Sequence, residues 1–256
     1  MLPINLILTD LDDTLLRSDK TVSERTVAVF ERCREVGILF GFSTLRGRTA
    51  ISDYIDMLHP DVLICNGGSM IYHGDNVIHI ESFTLEQTRA LLSSAYRLIG
   101  DRCEMTLDTP DSLYWNRLDD KSATYEVKCR YDEMRDFREC ACKMCVQTTD
   151  ADIAARIAAS AGEISYIPFS DIPWYKFSPK NATKENGVRI LAEHLSMPLS
   201  SIAAFGDDYS DIGMLQTAGI GIAMQNAIEP VKAAADDVTL SCNEDGVADW
   251  IDKHLL

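Results

Sequence analysis

The stretch LILTDLDDTLL, residues 6–16, carries an apolar run directly into a cluster of acidic side chains. Residues Leu6–Leu8 are typical of a buried strand. Asp10, Asp12 and Asp13 then place three carboxylates within four residues, where they repel one another. The pattern therefore raises the question of what makes this charge tolerable at the end of a buried strand.

Strand and helix signals alternate in the parts of the chain on either side of its middle. The predicted strands are Leu6–Thr9, Ile38–Phe42, Val62–Cys65, Ile202–Phe205, Ile220–Ala223 and Val238–Leu240. Apolar residues at helical spacing separate them, for example from Val22 to Cys33, with Ser23 as a cap and Gly37 as a stop. Strands that are apolar on both faces and alternate with helices indicate a parallel sheet. The sequence therefore predicts a doubly wound, Rossmann-like α/β core.

The middle of the chain has a different pattern of predicted elements. Helices are predicted over Leu85–Ile99 and Asp152–Ala161, among shorter and more polar strands. The strand candidates are Glu104–Leu107, Tyr125–Cys129, Lys143–Gln147 and Ile164–Pro168. Short strands with helices on one face indicate an inserted α+β unit. We therefore predict a catalytic core of residues 1–82 and 180–256, with an inserted cap of residues 83–179.

Composition excludes several classes of protein. The chain has 256 residues, of which 46% are hydrophobic and 25% charged, and its formal net charge is −16. Such a negative field repels nucleic acid and anionic membranes. No apolar run approaches the ~18 residues that a membrane helix needs, and no basic segment precedes the first apolar run as in a secretion signal. We expect a cytoplasmic protein, monomeric or a small homo-oligomer, without nucleic acid or membrane partners.

The eight cysteines lie largely in apolar segments, which suits reduced thiols in a cytosol. Cys140, Cys142 and Cys145 include one Cys-x-x-Cys pair, but no second pair and no paired histidines stand nearby. The spacing therefore favours reduced strand cysteines over a zinc or redox site.

Polar residues follow the carboxyl ends of the predicted strands, where parallel α/β sheets bind ligands. They are Asp10 and Asp12 after the first strand, Ser43 and Thr44 after the second, Asn66 after the third, and Asp207, Asp208 and Asp211 after the next. Carboxylates gathered at one edge repel strongly unless they share a divalent cation, and a small set of oxygen ligands suits Mg²⁺. With a metal there, Thr44, Lys184 and backbone amides would hold a phosphate. The pattern predicts a phosphoryl-transfer site.

At this point a resemblance is evident. The segments DLDDTLL (10–16), STLR (43–46), TKENG (183–187) and GDDYSDIGML (206–215) resemble the four motifs of the haloacid dehalogenase-like (HAD) phosphatase superfamily. The tail, residues 219–250, resembles the Cof-type branch, whose C2B cap is inserted between motifs two and three. The resemblance implies a Mg²⁺-dependent phosphatase that hydrolyses phosphomonoesters of small soluble metabolites, such as sugar phosphates, through an aspartyl phosphate.

The resemblance also implies a role for each matched residue. Asp10 would be the nucleophile, and Asp12 would protonate the leaving oxygen and then activate water. The Asp10 carboxylate, the Asp12 carbonyl and Asp207 would bind Mg²⁺, with Asp211 orienting the waters of the metal. The residues that would contact phosphate or substrate are Leu11 through its amide, Thr44, Lys184, Ser210 and Arg46.

Four positions depart from the pattern of the branch. Asp13 stands where Gly is common, and Leu45 replaces a Gly. Ser210 replaces an Asn that helps contact the substrate phosphate in relatives, and Glu185 adds a negative charge after Lys184. These departures bear on rate and on substrate, and they leave the reaction class intact.

Other functions remain open. A phosphomutase of the same superfamily uses the same two aspartates and releases no free phosphate. In a response-regulator-like phosphoacceptor domain the acidic pair precedes the phosphoacceptor strand and no cap is present, and dehalogenase relatives lack an acid at the Asp12 position. A catalytically silent binding protein is the last alternative. The cap residues Trp115, Arg117 and Lys128 are candidates for contacting a polar or sugar-like group.

Overall fold

The computed structural model describes residues 4–117, 129–169 and 172–256. The chain forms two compact units. The first consists of Met1–Leu45, Asp53–His79 and Thr183–Leu256, and the second of Arg46–Ser52 and Ile80–Ala182. The unit boundaries near 80 and 182 differ by a few residues from those that the sequence suggests. The inclusion of residues 46–52 in the second unit is a feature that the sequence pattern does not predict.

The first unit is built on a sheet whose strands follow the order β14-β13-β12-β1-β2-β3-β4-β5 in the described part of the chain. These strands are β1 (Leu6–Thr9), β2 (Leu39–Ser43), β3 (Val62–Cys65), β4 (Met70–His73), β5 (Asn76–Ile80), β12 (Ile202–Gly206), β13 (Ile220–Ala223) and β14 (Asp237–Val238). The six strands from β14 to β3 are parallel, and β4 pairs antiparallel with β3. The direction of chain progression reverses between β1 and β12, which makes their carboxyl ends the switch point where such sheets bind ligands.

Helices cover this sheet. They are α1 (Glu24–Glu35), α2 (Ser52–Leu58), α5 (Lys184–His194), α6 (Ile212–Thr217), α7 (Glu229–Ala234) and α8 (Gly246–His254). The Ser23 hydroxyl accepts a hydrogen bond from the Thr26 amide, so α1 begins where the sequence predicts. Helix α1 packs against α8 and β2, and α5 packs against α6 and β3. This is the doubly wound, Rossmann-like core that the sequence predicts.

The second unit contains its own sheet, in the order β10-β11-β9-β6-β7-β8. Its strands and helices are β6 (Met105–Asp108), β7 (Leu113–Trp115), β8 (Cys129–Tyr131), β9 (Lys143–Gln147), β10 (Ile164–Pro168), β11 (Trp174–Pro179), α3 (Leu85–Ile99) and α4 (Ala151–Ala159). Leu91 of α3 and Ile157 of α4 share one buried apolar cluster with Leu107, Met144 and Phe177 of the sheet. The unit is therefore an α+β domain, as predicted.

Side chains alternate between the two faces of this second sheet. Because Leu107 and Met144 face the apolar cluster, the neighbouring Asp108 and Lys143 lie on the opposite face. These two residues are register partners on β6 and β9, and the Lys143 ammonium lies 3.1 Å from Asp108 Oδ2. A buried ion pair thus lies on the face of the sheet opposite to the apolar cluster.

The strand predicted over Tyr125–Cys129 falls largely on residues 125–128, which lie outside the described residues, and β8 begins at Cys129. No helix in the described part of the chain combines the length and the apolar character that crossing a bilayer requires. A cytoplasmic location and the oligomeric state stay predictions.

Candidate active site

The carboxyl ends of β1 and β12 bring the first acidic groups together. Thr9 is the register partner of Phe205, and the Asp10 amide donates a hydrogen bond of 3.0 Å to the Phe205 carbonyl. Asp10 and Asp207 are each the first residue beyond their strand. The parallel pairing of these two central strands therefore places both aspartates at the same edge of the sheet.

Helix α5 begins at this edge and supplies the ammonium group. The Thr183 hydroxyl accepts a hydrogen bond of 3.1 Å from the Asn186 amide and caps the helix. A Cβ at Gly187 would lie 2.7 Å from Ile64 Cγ2, so only glycine allows α5 to approach β3 this closely. Lys184, in the first helical turn, is 2% exposed. A cation at a helix N-terminus is disfavoured by the helix dipole, so its position there requires neighbouring negative charge.

Two carboxylates provide that charge. The Lys184 ammonium lies 2.7 Å from Asp10 Oδ1 and 2.5 Å from Asp211 Oδ1. The other Asp211 oxygen accepts hydrogen bonds of 3.1 Å from the amides of Asp207 and Asp208. A Cβ at Gly206 would lie 2.4 Å from the Asp211 Cβ, so the glycine leaves the space that Asp211 occupies. Asp211 therefore links the ammonium to the backbone after β12.

One carboxylate oxygen from each of Asp10, Asp207 and Asp211 lies within 4.8 Å of the others. Burial raises the pKa of Asp10 to about 7, with Lys184 opposing the shift and Asp211 adding to it. Burial, followed by the negative charges of Asp10 and Asp211, raises the pKa of Asp207 to about 9. Burial opposes charge on Lys184, but Asp10 and Asp211 outweigh it and raise the Lys184 pKa.

Three carboxyl groups face one ammonium in this cluster, so full ionisation would leave an excess of buried negative charge, which the raised pKa values of Asp10 and Asp207 oppose. A set of close carboxylate oxygens matches the ligand preference of a hard divalent cation such as Mg²⁺. The residues present therefore fit the metal that the sequence predicts.

The turn after β1 shapes the next part of the site. Residues Leu11–Leu15 form a single wide turn in which Asp12 and Asp13 depart from helical dihedral angles. Asp13 has a φ of 54°, a left-handed conformation that glycine adopts freely and that Asp tolerates better than most other residues. The Asn226 amide donates a hydrogen bond of 2.7 Å to the Asp13 carbonyl and holds this conformation.

The Asp12 carboxylate is separate from the group of three. Its side chain is 37% exposed, and its Oδ1 lies 3.0 Å from the Lys20 ammonium. The Thr14 hydroxyl, by contrast, donates a hydrogen bond of 2.6 Å to Asp207 Oδ1. The turn Leu11–Leu15 therefore exposes the Asp12 side chain and, through Thr14, fixes the position of the Asp207 carboxylate.

The remaining residues from the sequence prediction differ in their placement. Thr44 is buried after β2, where its amide donates to the Ile64 carbonyl and its carbonyl accepts from the Gly67 amide. Leu11 is buried directly after Asp10. Ser210 lies half-buried in the turn Tyr209–Asp211 of the first unit, and Arg46 belongs to the second unit. Ser43 Oγ, at the end of β2, and Asn66 Oδ1, directly after β3, are buried without a hydrogen-bond partner among the described residues.

Several other positions that the sequence draws attention to have partners of their own. Glu185 forms an ion pair with Arg189 at 2.9 Å, which offsets its negative charge. In the second unit, the Trp115 indole donates to Glu104 at 3.1 Å, and Arg117 lies 3.0 Å from the same carboxylate. Lys128 lies outside the described residues.

Burial keeps the cysteines of the Cys-x-x-Cys pair protonated. It raises the pKa of Cys142 to about 12 and also raises that of Cys145. Because the thiolate is the reactive form, neither thiol is set up for redox chemistry.

A sequence model of the haloacid dehalogenase-like hydrolases matches residues 7–251. The chain belongs to this family. Among curated proteins, this HAD hydrolase is 27% identical over 271 residues to the 5-amino-6-(5-phospho-D-ribitylamino)uracil phosphatase YitU of Bacillus subtilis (strain 168). That match covers 98% of this chain and 97% of YitU.

Solved structures of the family have the same fold. A haloacid dehalogenase-like hydrolase from Bacteroides thetaiotaomicron superposes with a TM-score of 0.84 at 26% identity, covering 98% of this chain and 99% of its own. The HAD subclass IIB sugar phosphatase BT4131 gives a TM-score of 0.85 at 21% identity, with coverage of 97% and 98%. The predicted membership of the HAD superfamily, Cof-type branch, and the predicted enzyme class, a phosphatase, are confirmed.

Sequence reasoning missed three residues of the site. They are Thr14, which donates to Asp207; Asn226, which holds the Asp13 carbonyl; and Lys20, which pairs with Asp12. Thr14 lies within the motif DLDDTLL and Asn226 within the tail of residues 219–250, so their position inside these segments was the signal that could have identified them.

Proposed function

We propose that the protein hydrolyses phosphomonoesters of small metabolites, sugar phosphates or similar polyol phosphates, in a Mg²⁺-dependent reaction that passes through an aspartyl phosphate on Asp10. The observation that carries the proposal is the group of Asp10, Asp207 and Asp211, whose oxygens lie within 4.8 Å of one another beside the buried ammonium of Lys184. The carboxylates would bind a divalent cation, and the cation together with the Lys184 ammonium would attract the oxygens of a phosphoryl group.

Asp10 is the nucleophile in this proposal. Its carboxylate attacks phosphorus while the bond between phosphorus and the leaving oxygen breaks, and the Asp12 carboxyl transfers a proton to that oxygen. In the second step water attacks the same phosphorus, the Asp12 carboxylate takes a proton from the water, and the Asp10 carboxylate is released with inorganic phosphate. The exposure of the Asp12 side chain, 37%, supports a role at the mouth of the site.

The metal would be held by the Asp10 carboxylate, the Asp12 backbone carbonyl and Asp207, with Asp211 orienting the metal's waters. When bound, Mg²⁺ neutralises charge on the transferred phosphoryl group. Thr14 and the backbone amides after β12 support this role because they fix Asp207 and Asp211.

Thr44, Lys184, Ser210 and the Leu11 amide would bind the phosphate oxygens. Support comes from the Ser43 hydroxyl at the end of β2, which is buried without a partner among the described residues and can donate a hydrogen bond to a phosphate oxygen. We assign Arg46, on a segment of the second unit, to the part of the substrate beyond the phosphate.

We also propose that the second unit acts as a cap that selects the leaving group. The phosphoryl group has the same shape in every monoester, so discrimination requires contacts to the remainder of the substrate. YitU is named for a phosphorylated ribityl compound and BT4131 for sugar phosphates. Both names support a phosphorylated polyol or sugar as the substrate class.

Phosphate release from a panel of phosphorylated metabolites, assayed with Mg²⁺, tests the proposal. Turnover of at least one sugar or polyol phosphate is expected, with loss of activity in excess chelator and in an Asp10→Asn variant. A phosphomutase would instead isomerise a sugar phosphate without releasing free phosphate. Full activity in chelator would contradict the metal dependence.

A further inference from the structure

We propose that Lys20 is a positioning residue for Asp12: its ammonium holds the Asp12 carboxylate in place for proton transfer to the leaving oxygen. The proposal rests on the proposed phosphatase reaction and goes beyond it, because it assigns a role to a residue outside the four motifs. Lys20 and Asp12 both lie in the first unit.

The ammonium of Lys20 spans two carboxylates of the turn after β1. It lies 3.0 Å from Asp12 Oδ1 and 3.6 Å from Asp13 Oδ2. Two anions on one ammonium fix the direction of the Asp12 side chain better than a single contact would, since the lysine cannot follow one carboxylate without leaving the other.

The backbone that presents Lys20 is in an unusual conformation. Lys20 has a φ of 65°, in the left-handed region that residues other than Gly, Asn and Asp seldom adopt. The Lys20 amide donates to the Arg17 carbonyl, and the Arg17 amide donates to the Thr21 carbonyl. Asp19 Oδ1 accepts hydrogen bonds from both the amide and the hydroxyl of Thr21, and the Tyr54 hydroxyl donates to the Lys20 carbonyl at 3.0 Å.

The same turn is attached to the C-terminal part of the first unit. The Arg17 guanidinium forms an ion pair with Asp245 at 2.8 Å, and Asn243 Oδ1 accepts hydrogen bonds from the amide and hydroxyl of Ser18. The backbone of Lys20 is therefore fixed from several sides, while its side chain remains 43% exposed.

Stability does not explain this arrangement. The side chains of both Lys20 and Asp12 are more than one third exposed, and exposed ion pairs contribute little to folding. A left-handed lysine, on the other hand, is strained, and strained backbone persists where the surrounding structure holds it and is concentrated at functional sites. The strain at Lys20 therefore serves the placement of its ammonium beside Asp12.

The chemical consequence concerns the leaving group. The Lys20 ammonium, 3.0 Å from Asp12 Oδ1, keeps the Asp12 carboxyl group directed at the leaving oxygen when the proton is transferred. An alkoxide leaves poorly without that proton, whereas 4-nitrophenolate leaves readily without one. The contribution of Lys20 should therefore be large for alkyl phosphates and small for aryl phosphates.

The experiment compares kcat/KM, which covers only the steps up to departure of the leaving group, for an alkyl phosphate and for 4-nitrophenyl phosphate in Lys20→Met, Lys20→Arg and the unaltered protein. We expect Lys20→Met to lower kcat/KM for the alkyl ester roughly tenfold or more, since general acid catalysis contributes on the order of a hundredfold or more in full. The aryl ester should lose less than about threefold, because its departure needs little general acid help, and Lys20→Arg should recover most of the alkyl activity. Lys253→Met, which removes a lysine paired with Asp249 on α8, is the matched control and should behave as the unaltered protein.

A second variant guards against a folding defect. Tyr54→Phe removes the hydrogen bond to the Lys20 carbonyl and leaves all charges in place. It should shift the alkyl-to-aryl ratio in the same direction by a smaller factor. Equal losses of kcat/KM for both esters would show that Lys20 binds phosphate or supports the fold instead. If the unaltered protein releases phosphate from neither ester nor any of the panel, the proposed function itself fails.

Discussion

Lys184 in the first unit and Lys143 in the second unit are both buried lysines paired with aspartate, but the charges around them are balanced differently. Lys143 lies 3.1 Å from Asp108, and the two side chains are 9% and 6% exposed. Lys184 lies against both Asp10 and Asp211, and Asp207 completes a group of three carboxylates. One cluster has equal numbers of opposite charges, and the other has an excess of negative charge.

This difference separates a structural pair from a candidate catalytic site. Burial raises the pKa of Asp108, opposed by Lys143, while the pKa of Lys143 is raised because Asp108 outweighs its burial. The two opposite charges of this pair balance each other. The carboxylates around Lys184 repel one another even after the ammonium is counted, so they gain from a cation and from chemistry that uses it.

The largest expected effect contrasts the two clusters by activity. Asp10→Asn preserves the size of the side chain and removes the attacking carboxylate, so kcat should fall by about a thousandfold or more. The matched variant Asp108→Asn should keep activity far above that level. Phosphate release from the best substrate measures both. Near-normal turnover in a folded Asp10→Asn protein would show that another group is the nucleophile.

The next effect concerns the stability of the balanced pair. Asp108→Leu or Lys143→Met alone leaves one buried charge without its partner, which should lower the free energy of unfolding by about 3–5 kcal/mol. The double variant removes both charges and should be more stable than either single variant. Urea unfolding of the unaltered protein, the two single variants and the double variant gives the coupling free energy between the two side chains. Additive losses in the double variant would mean that the two side chains do not depend on each other.

For the group of Asp10, Asp207 and Asp211, the loss of one carboxylate should not lower stability unless Mg²⁺ is present. Without Mg²⁺, Asp207→Asn should be as stable as the unaltered protein or more so, because it removes repulsion among the three carboxylates. With Mg²⁺ at 100 times its dissociation constant, the unaltered protein should gain about 2.7 kcal/mol, and the variant much less. Thermal unfolding with and without Mg²⁺ measures both. The Asp108→Asn protein should retain the full response to Mg²⁺, and equal responses in Asp207→Asn would exclude Asp207 as a ligand.

Strand ends were predictable because they depend on periodicity that the sequence displays directly. The boundaries of β1, β3, β9, β10 and β13 are those expected from apolar runs. The antiparallel strand β4 was not predicted, because Gly67 and Gly68 separate it from β3 and indicate the end of a strand rather than a reversal of the chain. The strand β11 ends in Pro179, and a proline within a strand weakens the strand signal.

The candidate site divides in the same way. The convergence of Asp10, Asp207 and Lys184 follows from topology, since parallel strands bring their carboxyl ends to one edge. The contacts of Asp12 and Asp13 depend on the left-handed conformations of Asp13 and Lys20. A single lysine or asparagine elsewhere in the sequence gives no periodic pattern that would predict such a contact. Lys20 and Asn226 therefore required the structure.

The smallest expected effect tests whether this added layer around the carboxylates matters. Thr14→Val keeps the shape of a buried side chain but removes the hydroxyl that donates to Asp207 at 2.6 Å. Groups that orient a metal ligand typically change affinity by 10–100-fold, so we expect Mg²⁺ to bind about tenfold more weakly. Thr14→Ser retains the hydroxyl and should bind Mg²⁺ nearly as the unaltered protein does. A Mg²⁺ titration of thermal stability measures all three proteins without relying on turnover. If Val and Ser behave alike, the hydroxyl has no part in holding Asp207, and the excess charge of the cluster alone sets its affinity for metal.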